Sequence, residues 1–472
     1  MSSGTATKSL IDYVLRTRYE DFPTDVIDRA KLSLLDSIGC MLGGYRTELG
    51  RIFVKTFTEI RGIRESTIIG KGDKIPMANA AFANSAMANA LDYDDTYAGH
   101  PGATIIPSAL AVSEKSGSDG RDLLTAIIAA YEVTIRITRA IQPSLERSKH
   151  VWFVGTPQTF GSVSAASKLL GLDLHKITNG FGIAGISSLV PSCQHWGWND
   201  RPLHWAKDCV EWPAYLGIMA ALLAKRGFLG TRSILDGETG FWIMAGSDKC
   251  DWNVLTEGLG EKYELMSLSY KPYPACRFNH SPLDGITAIM KTHNLRPDEI
   301  EKVHVKALSW LKQFMDYTPQ NMVDAEFSLP YSIAMGVLGI RPGPEWYARM
   351  RLRDPKVLQI AKKVSFEADV DADKGFNMAW KLPADVQVTT KDGRVFRHSV
   401  DYPKGDPKRP MTEPELVEKF MHLASGTLGR KGADDVRELV QGIENVKNTR
   451  SLTLLLARAK SRKKTWSFAQ RL

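Results

Sequence analysis

The chain has 472 residues, too many for one ordinary hydrophobic core, so two or three domains are expected. Hydrophobic residues make up 43% and charged residues 24%, the proportions of a globular protein, and no apolar run nears the ~18–20 residues of a membrane span. The formal charge of +8 is spread along the chain, which argues against a nucleic-acid-binding face and suits small anionic ligands.

The opening stretch "MSSGTATKSLIDYVLRTRYEDF" has no apolar secretory core, so the cytoplasm is the default compartment. Up to about residue 265 the text reads as helix after helix. In 24–44, Ile27, Ala30, Leu34, Ile38 and Met41 recur at helical spacing between a start signal at Pro23-Thr24 and a stop at Gly43-Gly44. Helices are also predicted over 78–91, 120–141, 158–172 and 212–230, several rich in small residues, with no strand alternation competing. The cysteines Cys40, Cys193, Cys209, Cys250 and Cys276 form no CxxC pair, so free thiols are expected rather than a zinc ribbon, iron–sulfur cluster or disulfide framework.

After about residue 268 the character changes. Residues 301–308 alternate, and 385–400 form two alternating runs around Asp392-Gly393, a hairpin signal. Stretches 325–340 and 355–364 between them look helical. Helical text returns from 412–424, and a segment of that kind often rejoins the first domain. The expectation is a mainly α fold: helical residues 1–268, an α+β unit over 269–407, and a helical return over 408–472.

Polar clusters interrupt this text at "LDYDDTYAGHPG", "SKHVWFVGTPQTFG", "SCQHWGWNDRPLHWAKDCVEW" and "YKPYPACRFNH". The first gathers Asp92, Asp94, Asp95, Thr96 and His100; Asp94 and Asp95, on adjacent positions, are not expected both to face inward, and an outward or helix-capping role is expected for them. Asp and His are also metal ligands, but no further carboxylate–His pair stands out, and no metal is expected. The third cluster offers Arg201 and Lys207, the fourth Lys271, Arg277 and His280 at the change of character. No GxSxG, phosphate loop or HExxH is present. Acids or bases (His100, Lys207, Lys271), cations for carboxylates (Lys271, Arg277) and an orienting Asp92 suit proton transfer at a carbon next to a carboxylate. The four clusters are expected to converge on one cleft beside the 269–407 unit.

At these residues the chain resembles the MmgE/PrpD family, which includes 2-methylcitrate dehydratase, cis-aconitate decarboxylase and iminodisuccinate epimerase. The resemblance rests on "LDYDDTYAGHPGATIIPSALA", "FGSVSAASKLLGLD", "KDCVEWPAYLGIMAALLAKRGF", "KPYPACRFNHSPLDGI", "DAEFSLPYSIAMGVL" and "VTTKDGRVF", in the family's order. It implies a large all-helical domain built from both chain ends with an inserted smaller α+β lid domain, a homodimer, and a cleft that needs no metal or organic cofactor. Asp92, Thr96 and His100 match the family's first motif, and Lys271 its lysine at the domain crossover. Lys207 matches a further site lysine, with Arg201 its rival, and Tyr317 a site tyrosine. One departure stands out. A His-Pro pair usual about eight residues before "FG" is absent; the position falls at Trp152, and His150 is the nearby substitute. The expected activity is a lyase reaction, dehydration or decarboxylation, on a small di- or tricarboxylate. An epimerase of an imino- or amino-dicarboxylate is the alternative, and a non-catalytic binding protein on this scaffold the third reading. Lysine 271, Arg277, Thr96 and Arg201 would bind substrate; His100, Lys207, Asp92, Tyr317 and His150 would do the chemistry.

Overall fold

The Thr24–Gly44 helix spans the predicted start and stop and is buried along most of its length. It belongs to a computed structural model that describes residues 6–152, 154–190, 192–193, 201–206 and 208–457. The alanine-rich Met77–Asn89 helix packs against it, and small residues explain the closeness: a Cβ on Gly44 would lie 1.9 Å from the Met87 carbonyl oxygen. The Gln158–Leu169 and Glu211–Lys225 helices meet in the same way, a Cβ on Gly217 falling 2.4 Å from the Ser162 side chain. The apolar Gly120–Ala140 helix lies between neighbours, buried on nearly every side. Pro101–Ser116 runs straight through Pro107 and starts six residues earlier than a helix opening at that proline would. Two short ribbons were not foreseen: Ser66–Thr67 with Lys74–Ile75, and Val151–Trp152 with Ser192–Cys193.

The inserted unit carries a four-stranded sheet in the order Val364–Ala368, Ile300–Ala307, Ala384–Thr390, Val395–Val400. The first pair is parallel and the others antiparallel. Residues 301–308 alternate as predicted, with Val303 and Val305 buried and Ala307 joining them, and the Ala384–Val400 hairpin turns at Gly393, whose φ of +88° needs a glycine. The 355–364 stretch is helical only over Pro355–Ala361; Val364 already starts the parallel edge strand. The His280–Thr292 and Leu329–Val337 helices pack on each other, and the first of them on the sheet.

The fold is mainly α, a helical body built from both chain ends with an inserted α+β unit. The Glu413–Gln441 helix, broken at Gly429, returns to lie along Thr24–Gly44. Among the described residues two large hydrophobic cores result, beside a small cluster of Tyr270, Met411 and Leu416. One runs from Ala6 to Leu268 and takes in Phe420 to Leu456. The other runs from Cys276 to Val388 and reaches back for Cys40, Ala90, Leu91, Tyr93 and Leu423. The Asp92–His100 loop lies on the seam, since Tyr93 belongs to the second core and Ala103 and Ile105 to the first. No helix among the described residues is long and apolar enough to cross a membrane.

Candidate active site

Asp92 follows the Met77–Asn89 helix in a left-handed conformation, φ +46°, and Ala98 repeats it at +44°. Non-glycine residues adopt this only where surrounding contacts over-determine it. Those contacts come from the crossover into the inserted unit. Lys271, 1% exposed, donates from Nζ to Asp92 Oδ1 at 2.6 Å and to the Asp92 carbonyl at 3.0 Å. The backbones of Thr96 and Ser269 exchange hydrogen bonds of 2.9 and 3.0 Å, and the Tyr93 hydroxyl donates to the Pro272 carbonyl at 2.9 Å.

His100 immediately precedes the Pro101–Ser116 helix and is ringed by carboxylates. Its Nδ1 is 2.9 Å from Asp94 Oδ2, and its Nε2 is 3.3 Å from Asp208 Oδ2 and 3.6 Å from Asp92 Oδ1. Burial alone would push the imidazole down, but Asp94 and Asp208 more than offset it and hold the ring up to about 10. At neutral pH His100 is therefore an imidazolium, a proton donor, rather than a base poised near its usual range. His100 and Lys271 share one oxygen of Asp92.

Asp94 and Asp95 correct the expectation of an outward role, because both are buried. The left-handed turns at Asp92 and Ala98 break the alternation that would have turned one of them outward. Asp94 accepts from Asn89 Nδ2 at 3.1 Å and orients His100. Asp95 does cap a helix, but from inside: Oδ1 accepts from the Gly102 amide at 2.9 Å and Oδ2 from the Tyr131 hydroxyl at 2.5 Å. A Cβ on Gly102 would lie 2.5 Å from that carboxylate and 2.6 Å from the Tyr131 oxygen. Gly102→Ala is expected to lower the unfolding free energy by about 1–3 kcal/mol in urea titration, the usual cost of overpacking; an unchanged midpoint would show that this pair can move aside.

Burial raises the Asp95 carboxyl from 3.8 to about 7. Between those values the folded chain holds a proton that the unfolded chain has released, so the contribution of this group to stability falls as pH rises and is gone above about 7. Asp95→Asn, neutral throughout, is expected to gain stability over the parent from about pH 4 to 7, by at most ~1.4 kcal/mol per pH unit, and to hold that gain above 7. Parallel stability curves for the two proteins would refute this.

The other predicted residues are placed as follows. Thr96 donates its hydroxyl to the Gly99 carbonyl at 2.8 Å, so its hydrogen stays within the loop. Arg277 bonds the Lys404 carbonyl at 2.9 Å and lies 3.3 Å from His280 Nδ1; its Nη2 is buried without a partner among the described residues. Burial lowers its guanidinium to about 10, so it stays charged. His280 is neutral, pushed well down by burial and by Arg277, and its Nε2 donates to the Ala275 carbonyl. Arg201 is engaged elsewhere, with Asp324, Asp316 and the Gln313 carbonyl. Tyr317 donates to the Val364 carbonyl at 3.1 Å, within the inserted unit. His150 stands on the surface, 66% exposed, 3.9 Å from Glu146. The nearby segment does reach the loop by another route: Gly99 packs on the Val154 carbonyl, and the Thr104 hydroxyl lies 2.5 Å from Gln158 and 2.9 Å from the Val210 carbonyl. Lys207 lies outside the described residues; its neighbour Asp208, which sequence reasoning passed over, faces His100.

Asp92, Asp94 and His100 bring donor atoms within 4.8 Å of one another, close enough to hold a cation. The Lys271 ammonium and the imidazole already supply positive charge to these carboxylates. The MmgE/PrpD N-terminal domain matches residues 8–252 and the MmgE/PrpD C-terminal domain matches 273–445. The chain belongs to the MmgE/PrpD family. Curated MmgE/PrpD relatives include the cis-aconitate decarboxylase of Mus musculus, 26% identical over 471 residues, covering 97% of this chain and 94% of that protein. That of Homo sapiens is 27% identical, covering 91% and 90% of the two chains, and one from Aspergillus terreus is 24% identical, covering 95% of each.

Proposed function

We propose that this MmgE/PrpD protein is a lyase that decarboxylates a small unsaturated tricarboxylate of the cis-aconitate type, with His100 as the proton donor. The observation that carries the reading is the placement of the His100 imidazole against Asp94 and Asp208, two carboxylates that favour its charged form, beside a buried Lys271. Loss of carbon dioxide breaks one C–C bond and leaves its electron pair on the substrate carbon, and that pair needs one proton. An imidazolium supplies it and becomes neutral while its Asp94 partner keeps the ring oriented. An epimerase must first remove a proton, for which a ring already protonated at neutral pH is a poor base. Lys271 has a third N–H beyond the two given to Asp92, and Arg277 Nη2 lacks a partner among the described residues. These are the groups left to take substrate carboxylates, in a low-dielectric setting where each contact is strengthened. The relatives named cis-aconitate decarboxylase support the substrate class.

The test is incubation with cis-aconitate, citrate-like and aspartate-like acids in deuterated water, followed by proton NMR. Release of carbon dioxide with one deuteron incorporated per turnover is expected for the unsaturated tricarboxylate. Exchange without net turnover would make the protein an epimerase, and a new olefin without carbon dioxide a dehydratase.

A further inference from the structure

Lys419 belongs to the C-terminal helical return, far in sequence from every residue assigned above, and only 6% of it is exposed. A lone ammonium at that depth would be costly, and Asp36 from the Thr24–Gly44 helix meets it with Oδ1 2.7 Å from Nζ. The pair does more than neutralise itself. Lys419 Nζ donates to the Tyr93 carbonyl at 2.6 Å and stands 4.0 Å from the centre of the Tyr93 ring. One residue earlier, the Asp92 carbonyl accepts from Lys271 at 3.0 Å. Two consecutive peptide carbonyls are thus each held by a buried lysine, one from the crossover and one from the chain's final helices. The peptide that Lys419 holds is the one leading into Asp94, whose carboxylate fixes His100 Nδ1. One residue before Tyr93 stands Asp92, in a left-handed conformation that such contacts help to hold. The Tyr93 hydroxyl carries the tie on to Pro272, next to Lys271.

We propose that Lys419 is a positioning residue for this site: by holding the Tyr93–Asp94 peptide, it sets Asp92 and Asp94 where they meet Lys271 and His100 together. Asp36 keeps Lys419 charged and aimed. A buried ion pair serving stability alone is replaceable by apolar side chains at little cost; the contact with the Tyr93 carbonyl gives this pair a second consequence. The meaning for turnover rests on the decarboxylase reading, but the geometric claim does not.

The experiment follows the His100 ring by NMR titration, its resonance assigned among the ten histidines by its loss in His100→Gln. The charged groups facing the ring are Asp92, Asp94, Asp208 and Lys271. Asp36→Asn/Lys419→Met removes both charges, strands neither, and leaves the local net charge unchanged. In it the His100 titration is expected to fall by about one pH unit or more as Asp94 loosens from Nδ1. Asp36→Asn/Lys419→Gln returns a shorter donor toward the Tyr93 carbonyl and is expected to show about half that fall. With cis-aconitate, the methionine variant should lose about tenfold in kcat with KM within about threefold. A merely structural pair would leave the ring where it is, whatever the melting temperature does. An unmoved ring in a folded variant overturns the proposal. If the methionine variant does not fold, the glutamine variant decides by the same criterion. The titration needs no substrate, so a failed decarboxylase assay with a shifted ring sinks the substrate reading and leaves Lys419 its role.

Discussion

Replacing His100 with glutamine is expected to lower turnover about 100-fold or more, the usual scale for lost general acid catalysis. Glutamine keeps the approximate size and offers one donor to Asp94, but it removes the charge facing Asp94 and Asp208, so the melting temperature should fall as well and turnover is compared on folded protein. In the proposed mechanism turnover needs the protonated ring. The parent's activity should therefore hold through neutrality and fall as pH rises through about 10, where Asp94 and Asp208 release the imidazole from its charged form. The glutamine variant should lack that alkaline limb. Activity within about threefold of the parent would remove His100 from the proton transfer and return the carboxylates around it to a structural role.

The second large effect concerns Lys271. Lys271→Met leaves Asp92 buried, in a left-handed conformation and without the ammonium that binds both its side chain and its carbonyl. Breaking one side of such a pair costs about 3–5 kcal/mol, so a marked loss of stability in urea is expected along with loss of activity. Asp92→Asn/Lys271→Met removes both charges together. It should recover most of the stability and none of the activity, separating the part of Lys271 in holding the loop from its part in the chemistry. A single variant as stable as the parent would show that the restraint on Asp92 comes from elsewhere.

Much of the fold was legible from periodicity. The helix over 24–44 and the hairpin around Asp392-Gly393 are set by local patterns, spacing in one and turn chemistry in the other, and they fall where they were expected. The Val364–Ala368 strand was not legible, because it is short, at an edge and continuous with a helix, and its pairing with Ile300–Ala307 is non-local. At the site, a motif locates a loop but not the direction of its side chains. Asp94 and Asp95 lie side by side in sequence, and only the positive φ angles around them turn both inward. Arg201 entered as the rival of Lys207 in the family match and His150 as the nearby substitute for an absent family histidine; carboxylates distant in sequence claim the first, and solvent surrounds much of the second. Asp208 and Lys419 gave no signal of their own, since each acquires its meaning from a partner more than a hundred residues away.

The seam between the two cores has a bearing on engineering. Within a dozen residues the chain leaves one hydrophobic body at Tyr93 and enters the other at Ala103, with the ion cluster between. Filling a void or stiffening a helix in either body would firm up only one bank of the site. In the proposed site, geometry depends on registration between the two bodies, which heat tolerance gained in one alone would not secure. Selection for a tougher variant would have to act on both sides of residues 92–100 at once.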